Sequence, residues 1–213
     1  MALSKVNFNS MNVTPAASKA IKFNSSNNGL ETGDLGGSLV LISTVTASSS
    51  STVDFTSGID STYKEYQFHF TDVHPATNDA NLQVNFRDGG SSFDATKTTT
   101  FFRAYHTEDD GGSGLEYRTA NDLAQSTGAA TLNIGAGNEN DECTSGILHL
   151  FDPSSTTFVK HFMCDSNLYE GGNNSHRALV AGYANVTAAI DGVQFSFSSG
   201  NIDAGTFKLY GVS

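Results

Sequence analysis

Near the end of the chain Val193, Phe195 and Phe197 alternate with Gln194, Ser196 and Ser198. After the turn-rich stretch SSGNIDAG (198–205), Phe207 and Leu209 alternate in the same way with Thr206, Lys208 and Tyr210. A period of two places successive side chains on opposite sides of an extended backbone, so one side is apolar and the other wet. The pattern predicts a closing hairpin whose Val193, Phe195, Phe197, Phe207 and Leu209 seal one side of a core. KEYQFHFT (64–71) turns Tyr66, Phe68 and Phe70 inward by the same rule, and LQVNFRD (82–88) does so with Leu82, Val84 and Phe86.

Further strands are expected at LVLISTVT (39–46), TVDFT (52–56), TTTFFRAYH (98–106), GILHLFD (146–152), TTFVKHFM (156–163) and RALVAGYANV (177–186). LISTVTASSSSTVDF (41–55) and ILHLFDPSSTTFVKHF (147–162) each read as strand, serine-rich turn, strand. Between Thr107 and Cys143 the compositions EDDGGSG and GAGNENDE predict long exposed loops with only short strand candidates between them, LEYRT (115–119) and TLNI (131–134), and NDLAQS (121–126) as a single helical turn. Roughly ten or more short strands joined by turns, with no sustained helical period, predict an all-β fold. The expected architecture is an antiparallel two-sheet β-sandwich, jelly-roll-like, over residues 38–213.

Residues 1–37 differ from the rest. They are polar and irregular, with isolated apolar residues Val6, Phe8, Val13, Ile21 and Phe23, and cannot build a core of their own. The alternatives are a disordered leader and an extended N-terminal attachment arm whose spaced hydrophobes dock onto a neighbouring subunit, and the arm is the expectation.

The formal charge of −11 leaves no cationic stripe for phosphates, so nucleic acid is excluded as a partner. No apolar run is long enough for a signal peptide or a membrane span, which predicts synthesis in a cytosol and no membrane insertion. Cys143 and Cys164 have no metal-ligand spacing and are read as free thiols.

Candidate chemistry is sparse. No nucleophile elbow occurs, and serine is so abundant that any drawn triad is without weight. His69, His149 and His161 fall on strand faces, while His176 sits in the polar loop NNSHR. Glu108, Asp109 and Asp110, together with Glu139, Asp141 and Glu142, supply the oxygen ligands a hard cation such as Ca²⁺ takes, without matching a calcium-loop motif. Tyr105, Tyr117, Tyr169 and Tyr183 could stack on sugars, so a secreted carbohydrate-binding module is the alternative of another class. The binding candidates are thus Tyr105, Glu108, Asp109, Asp110, Tyr117 and Tyr169, with no catalytic residue and no resident cofactor expected.

STVDFTSGIDSTYKEYQFHFTDV (51–73), GILHLFDPSSTTFVKHF (146–162) and SGNIDAGTFKLYGVS (199–213) resemble segments of virion proteins of tailed bacteriophages, particularly those of marine cyanobacteria. The resemblance covers residues 39–213. It implies a non-enzymatic structural protein of the virion, made in the host bacterial cytoplasm. It also implies a homotrimer, joined to other virion proteins through the arm. Tail-fibre and host-attachment roles, with a surface glycan as target, and capsid decoration on the head are the two places such a protein takes.

Overall fold

The computed structural model describes Thr14, residues 19–33 and residues 38–213. Val6, Phe8 and Val13 of the arm lie outside the described residues. The described chain forms two units, one holding the N-terminal residues and the other Leu39–Val212.

In the first unit, β1 (Ala20–Phe23) and β2 (Leu30–Gly33) form an antiparallel hairpin, with Phe23 opposite Leu30 and Lys22 opposite Glu31. This element was not expected from the irregular sequence. Its turn is closed by Asn24, whose amide oxygen accepts the Asn28 N–H at 3.2 Å and whose carbonyl accepts the Asn27 N–H at 3.0 Å. Asn27 takes a left-handed φ of 54°, which asparagine tolerates better than most residues.

The second unit is all-β and antiparallel. Its strands are β3 (Leu39–Ser50), β4 (Val53–Phe55), β5 (Glu65–Pro75), β6 (Leu82–Arg87), β7 (Lys97–Thr107), β8 (Ser113–Tyr117), β9 (Ala130–Thr131), β10 (Thr144–Phe151), β11 (Lys160–Glu170), β12 (Asn174–Ala184), β13 (Gly192–Phe197) and β14 (Ile202–Val212). They form one eight-stranded sheet, ordered β3-β14-β5-β10-β11-β12-β7-β8, and one four-stranded sheet, ordered β4-β13-β6-β9. From β3 to β14 the chain passes from one sheet to the other at every step except β7 to β8, β10 to β11 and β11 to β12. Two hairpins, β7–β8 and β11–β12, extend only the large sheet.

The two sheets face one another through aromatic rings. Phe195 of the small sheet meets Phe207 at 5.1 Å, Phe68 at 5.9 Å and Phe70 at 6.2 Å between ring centroids, all three on the large sheet. Val193, Phe195, Phe197, Phe207 and Leu209 are all buried, as the alternation required. The closing pair is nevertheless not a hairpin. β13 and β14 belong to opposite sheets, because the turn-rich stretch between them carries the chain across the core rather than back along the same ladder. The two similar serine-rich segments diverge likewise: β3 and β4 lie in different sheets, whereas β10 and β11 pair directly.

The short candidates LEYRT and TLNI overlap strands β8 and β9, and the expected exposure of 107–143 is corrected. Ser113–Tyr117 is a strand paired with β7, and Ala130, Leu132, Ile134 and Ala136 are buried. The single turn expected at 121–126 is instead a 3-10 turn at Thr119–Asn121. The buried stretch runs beside β6, where Leu132 N–H donates to the Leu82 carbonyl at 2.8 Å and Ala136 N–H to the Ala80 carbonyl at 2.9 Å. It lies against the β11 side of the large sheet, where Ser166 Oγ donates to the Leu132 carbonyl at 3.2 Å, and nearby Leu123 N–H donates to Thr99 Oγ1 on β7 at 2.8 Å. Both cysteines are free thiols, and Cys164 is buried.

Candidate functional site

The register of β12 on β7 pairs Asn174 with Thr107, which sets the turn 108–112 of the β7–β8 hairpin beside the turn 171–173 of the β11–β12 hairpin. The two turns are joined where Glu108 N–H donates to the Asn173 carbonyl at 3.0 Å. Each turn is fixed internally. Thr107 Oγ1 accepts the Gly112 N–H at 2.8 Å, Asp109 Oδ1 accepts the Gly111 N–H at 2.9 Å, and Glu170 Oε2 accepts the Gly172 N–H at 3.1 Å. Asp110 and Asn173 take left-handed φ values of 58° and 61°, as residues in two tight reversals do.

Thr107, Glu108, Asp109, Gly172 and Asn173 line a shallow polar depression of about 440 Å³. Tyr169 stands at its edge. Its hydroxyl donates to Asn173 Oδ1 at 3.2 Å, and its pKa is raised by partial burial and by the hydrogen bond and charge of Glu108. Of the binding candidates read from the sequence, Glu108, Asp109 and Tyr169 therefore come together on one rim. Asp110 is beside them but turned to His106, whose Nε2 lies 3.0 Å from its Oδ1.

Tyr105 and Tyr117 leave that rim for opposite faces of the β7–β8 ribbon. Tyr117 is opposite Phe102 on the outer face, and its hydroxyl donates to Asp122 Oδ2 at 2.5 Å. Tyr105 turns to the inner side, where its ring meets His176 edge-on at 6.0 Å and the Arg103 guanidinium lies 5.1 Å from its centroid. Gly114 makes room for it, since a Cβ there would sit 2.8 Å from Tyr105 Cε1.

His176 itself is a correction. It is no loop residue but part of β12 and buried, because the β11–β12 ladder continues to the Glu170–Asn174 pair and leaves only three residues for the turn. Burial, then the neighbouring Arg103 charge, push its pKa below the usual histidine range. Arg103 Nη1 approaches the His176 ring at 3.1 Å while its Nε donates to Glu116 Oε2 at 3.1 Å. The remaining histidines have carboxylate, amide or carbonyl partners: His149 with Glu65 at 2.8 Å, His69 with Gln67 at 3.0 Å, and His74 with the Glu139 carbonyl at 3.0 Å. His161 meets the ring of Tyr183 edge-on at 6.1 Å. None of these contacts activates a nucleophile.

The second acidic stretch is drawn into its own loop. Glu142 is buried, and its Oε2 accepts the Glu139 N–H at 2.6 Å. Among the described residues no group of three or more histidine, cysteine, aspartate or glutamate side chains is gathered as a metal site.

Sequence reasoning missed two lysines. Lys97 and Lys160 are buried on the inner side of the large sheet, each opposite Ala184 of β12. Lys97 Nζ donates to Asn85 Oδ1 and, at 2.7 Å, to the Ala95 carbonyl, and Lys160 Nζ donates to the Val186 carbonyl at 2.9 Å. Their place was visible only as the position in each strand's alternation, where a charge argues against burial.

The outer face of the large sheet carries an apolar patch. Phe102, Phe151, Met163, Leu179 and Ala181 line a shallow hollow, flanked by Leu115 and Tyr117 on the edge strand β8. Leu115 is 76 % exposed and Met163 54 %. Among the described residues no helix is long and apolar enough to cross a membrane. Compared with protein-family models, curated proteins and solved structures, the chain matches none.

Proposed function

We propose that the chain is a non-enzymatic structural protein of a tailed-phage virion, a β-sandwich module displayed on the particle surface with a tail-fibre or host-adhesion role. The observation that carries this reading is the pair of inserted hairpins. They lengthen one sheet beyond the sandwich and spend that length on exposed binding surface: the rim of Glu108, Asp109, Tyr169 and Asn173 at one end, and the apolar outer face. The sequence resemblance of residues 39–213 supports the same reading.

The alternation of strands between the sheets supports a jelly-roll for the common part. In that reading β3-β14-β5-β10 and β4-β13-β6-β9 are its two four-stranded halves and the two hairpins are insertions. A hydrogen-bonding rim of carboxylates, amides and a tyrosine suits a glycan better than an anionic ligand, because the hydroxyls of a sugar donate to carboxylates.

Electron microscopy of particles labelled with antibody to this chain tests the assignment. Label on the tail is expected. Label confined to the capsid moves the protein to head decoration, and unlabelled particles remove the virion reading. A glycan array probed with the full chain and with Tyr169→Ala tests the rim, and binding that ignores the substitution overturns its role.

A further inference from the structure

We infer that the β1–β2 hairpin of one copy of this chain packs its apolar face onto the outer face of the large sheet of a second copy. The hairpin is amphipathic. Phe23 and Leu30 are directly opposed, so they share a side with Ile21, two residues from Phe23, while Lys22 and Glu31 occupy the other side as an ion pair at 3.5 Å. All three apolar side chains are exposed, Phe23 by 71 %. A two-stranded hairpin is marginal in water unless its apolar face is covered, so this element requires a surface to lie on.

The sandwich offers one of matching character. Register aligns Tyr117, Phe102 and Leu179 across β8, β7 and β12, and Ala181 with Met163 across β12 and β11, giving a contiguous apolar strip on the solvent side. Monomeric proteins seldom leave such patches bare. Charge favours the same pairing. Residues 1–37 hold Lys5, Lys19 and Lys22 against Glu31 and Asp34, a net of +1, so of the total of −11 the remainder of the chain carries −12. Two whole sandwiches repel, whereas a hairpin of net zero charge, with Lys22 and Glu31 as its charged residues, meets an acidic sandwich without that repulsion.

A contact between an arm and a different surface is heterologous, and it closes into a ring when every copy both gives and receives an arm. The inference goes beyond the display role proposed above and does not rest on its virion part.

Sedimentation of the full chain over a range of concentrations tests it. The unmodified chain is expected to form a discrete oligomer. Phe23→Asp, which spoils the arm, and Phe102→Asp, which spoils the receiving face, are each expected to shift the population to monomer with at least a tenfold weaker association. Met163→Asp serves as the face variant if circular dichroism shows Phe102→Asp to be unfolded. Mixing the arm variant with the face variant restores one good contact and is expected to give a heterodimer. A chain that stays monomeric throughout, an arm variant that assembles like the unmodified chain, or a mixture that stays monomeric overturns the inference. A monomeric chain that still labels virion tails would sink the arm contact alone and leave the display role standing.

Discussion

The large sheet has two halves that are held in different ways. Under β3, β14, β5 and β10 the cover is another sheet, and aromatic rings from both sides interlock around Phe195. Under β11, β12, β7 and β8 most of the cover is irregular chain: Leu123, Leu132, Ile134 and Ala136, fixed by hydrogen bonds from loop backbone to strand side chains. One ring contact bridges the two kinds of cover, Phe86 of the small sheet against Phe162 of β11 at 5.0 Å. A sheet-on-sheet core has its backbone donors and acceptors paired within each ladder before the layers meet. A loop cover must find partners one by one, so its stability depends on fewer and more separable contacts.

The sharpest test of that difference is truncation at equal burial. Phe195→Ala removes a fully buried ring that touches four others and is expected to cost about 3–5 kcal/mol in denaturant unfolding, since facing sheets cannot collapse into the void. Leu132→Ala, equally buried, is expected to cost about 2–3 kcal/mol, at the lower end for leucine, because irregular chain relaxes more easily. Amide exchange is expected to quicken over 119–137 in the second variant and not in the first. Equal costs with no local change in exchange would erase the distinction between the two covers.

The same difference explains what could be read from the sequence. Strands with sheet on one side and water on the other leave a period of two, and Tyr66, Phe68, Phe70, Leu82, Val84 and Phe86 are buried as that period requires. The alternation does not say which sheet a strand joins, so β13 and β14 read as a hairpin although they face each other across the core. Composition misled around ATLNIGA (130–136): TLNI reads as a short strand candidate within exposed loop, yet Asn133 is buried, receiving the Leu82 N–H at 3.2 Å and donating to Thr144 Oγ1 at 3.3 Å. Of the rim, the acidic turn was legible as residue type. Its meeting with Tyr169 and Asn173 depends on the β7–β12 register, a pairing between strands about seventy residues apart that no local pattern encodes.

Lys97 lies where the two kinds of cover meet, and its titration tests how dry that boundary is. Burial depresses its pKa from 10.5 to about 8, against the opposing pull of Asp94 and Asp88. A lysine whose folded pKa is lowered takes up its proton more readily when unfolded, so it penalises the fold fully below pH 8. The penalty fades as pH rises from about 8 towards 10.5. The full shift corresponds to roughly 3 kcal/mol, and relaxation of the site leaves about 2 kcal/mol. Lys97→Met is expected to raise stability at pH 7, or at least hold it, and to flatten the rise between pH 8 and 10 seen for the unmodified chain. A rise that persists in the variant would assign it to another group and make the boundary wet.

The outer face of the β11–β12–β7–β8 half gives the smallest effect. Arg177 grips Asp165 there through Nε at 3.0 Å and Nη2 at 2.6 Å, and these hydrogen bonds, then the Arg177 charge, lower the aspartate pKa against the opposing effect of burial. In a single chain the pair is about half exposed, so water screens both partners. Exposed pairs of this kind contribute under about 1 kcal/mol, and Asp165→Asn is expected to cost no more than that in the dissociated chain at neutral pH. In an assembly whose arms cover Phe102 and Leu179, the pair is drier and its loss leaves Arg177 unpartnered at an interface, which costs more than the surface value. The substitution therefore separates two states of one face. An effect that grows with protein concentration marks the outer face as covered in the assembly, while a small effect at every concentration marks it as open to water, unlike the core side of the same strands.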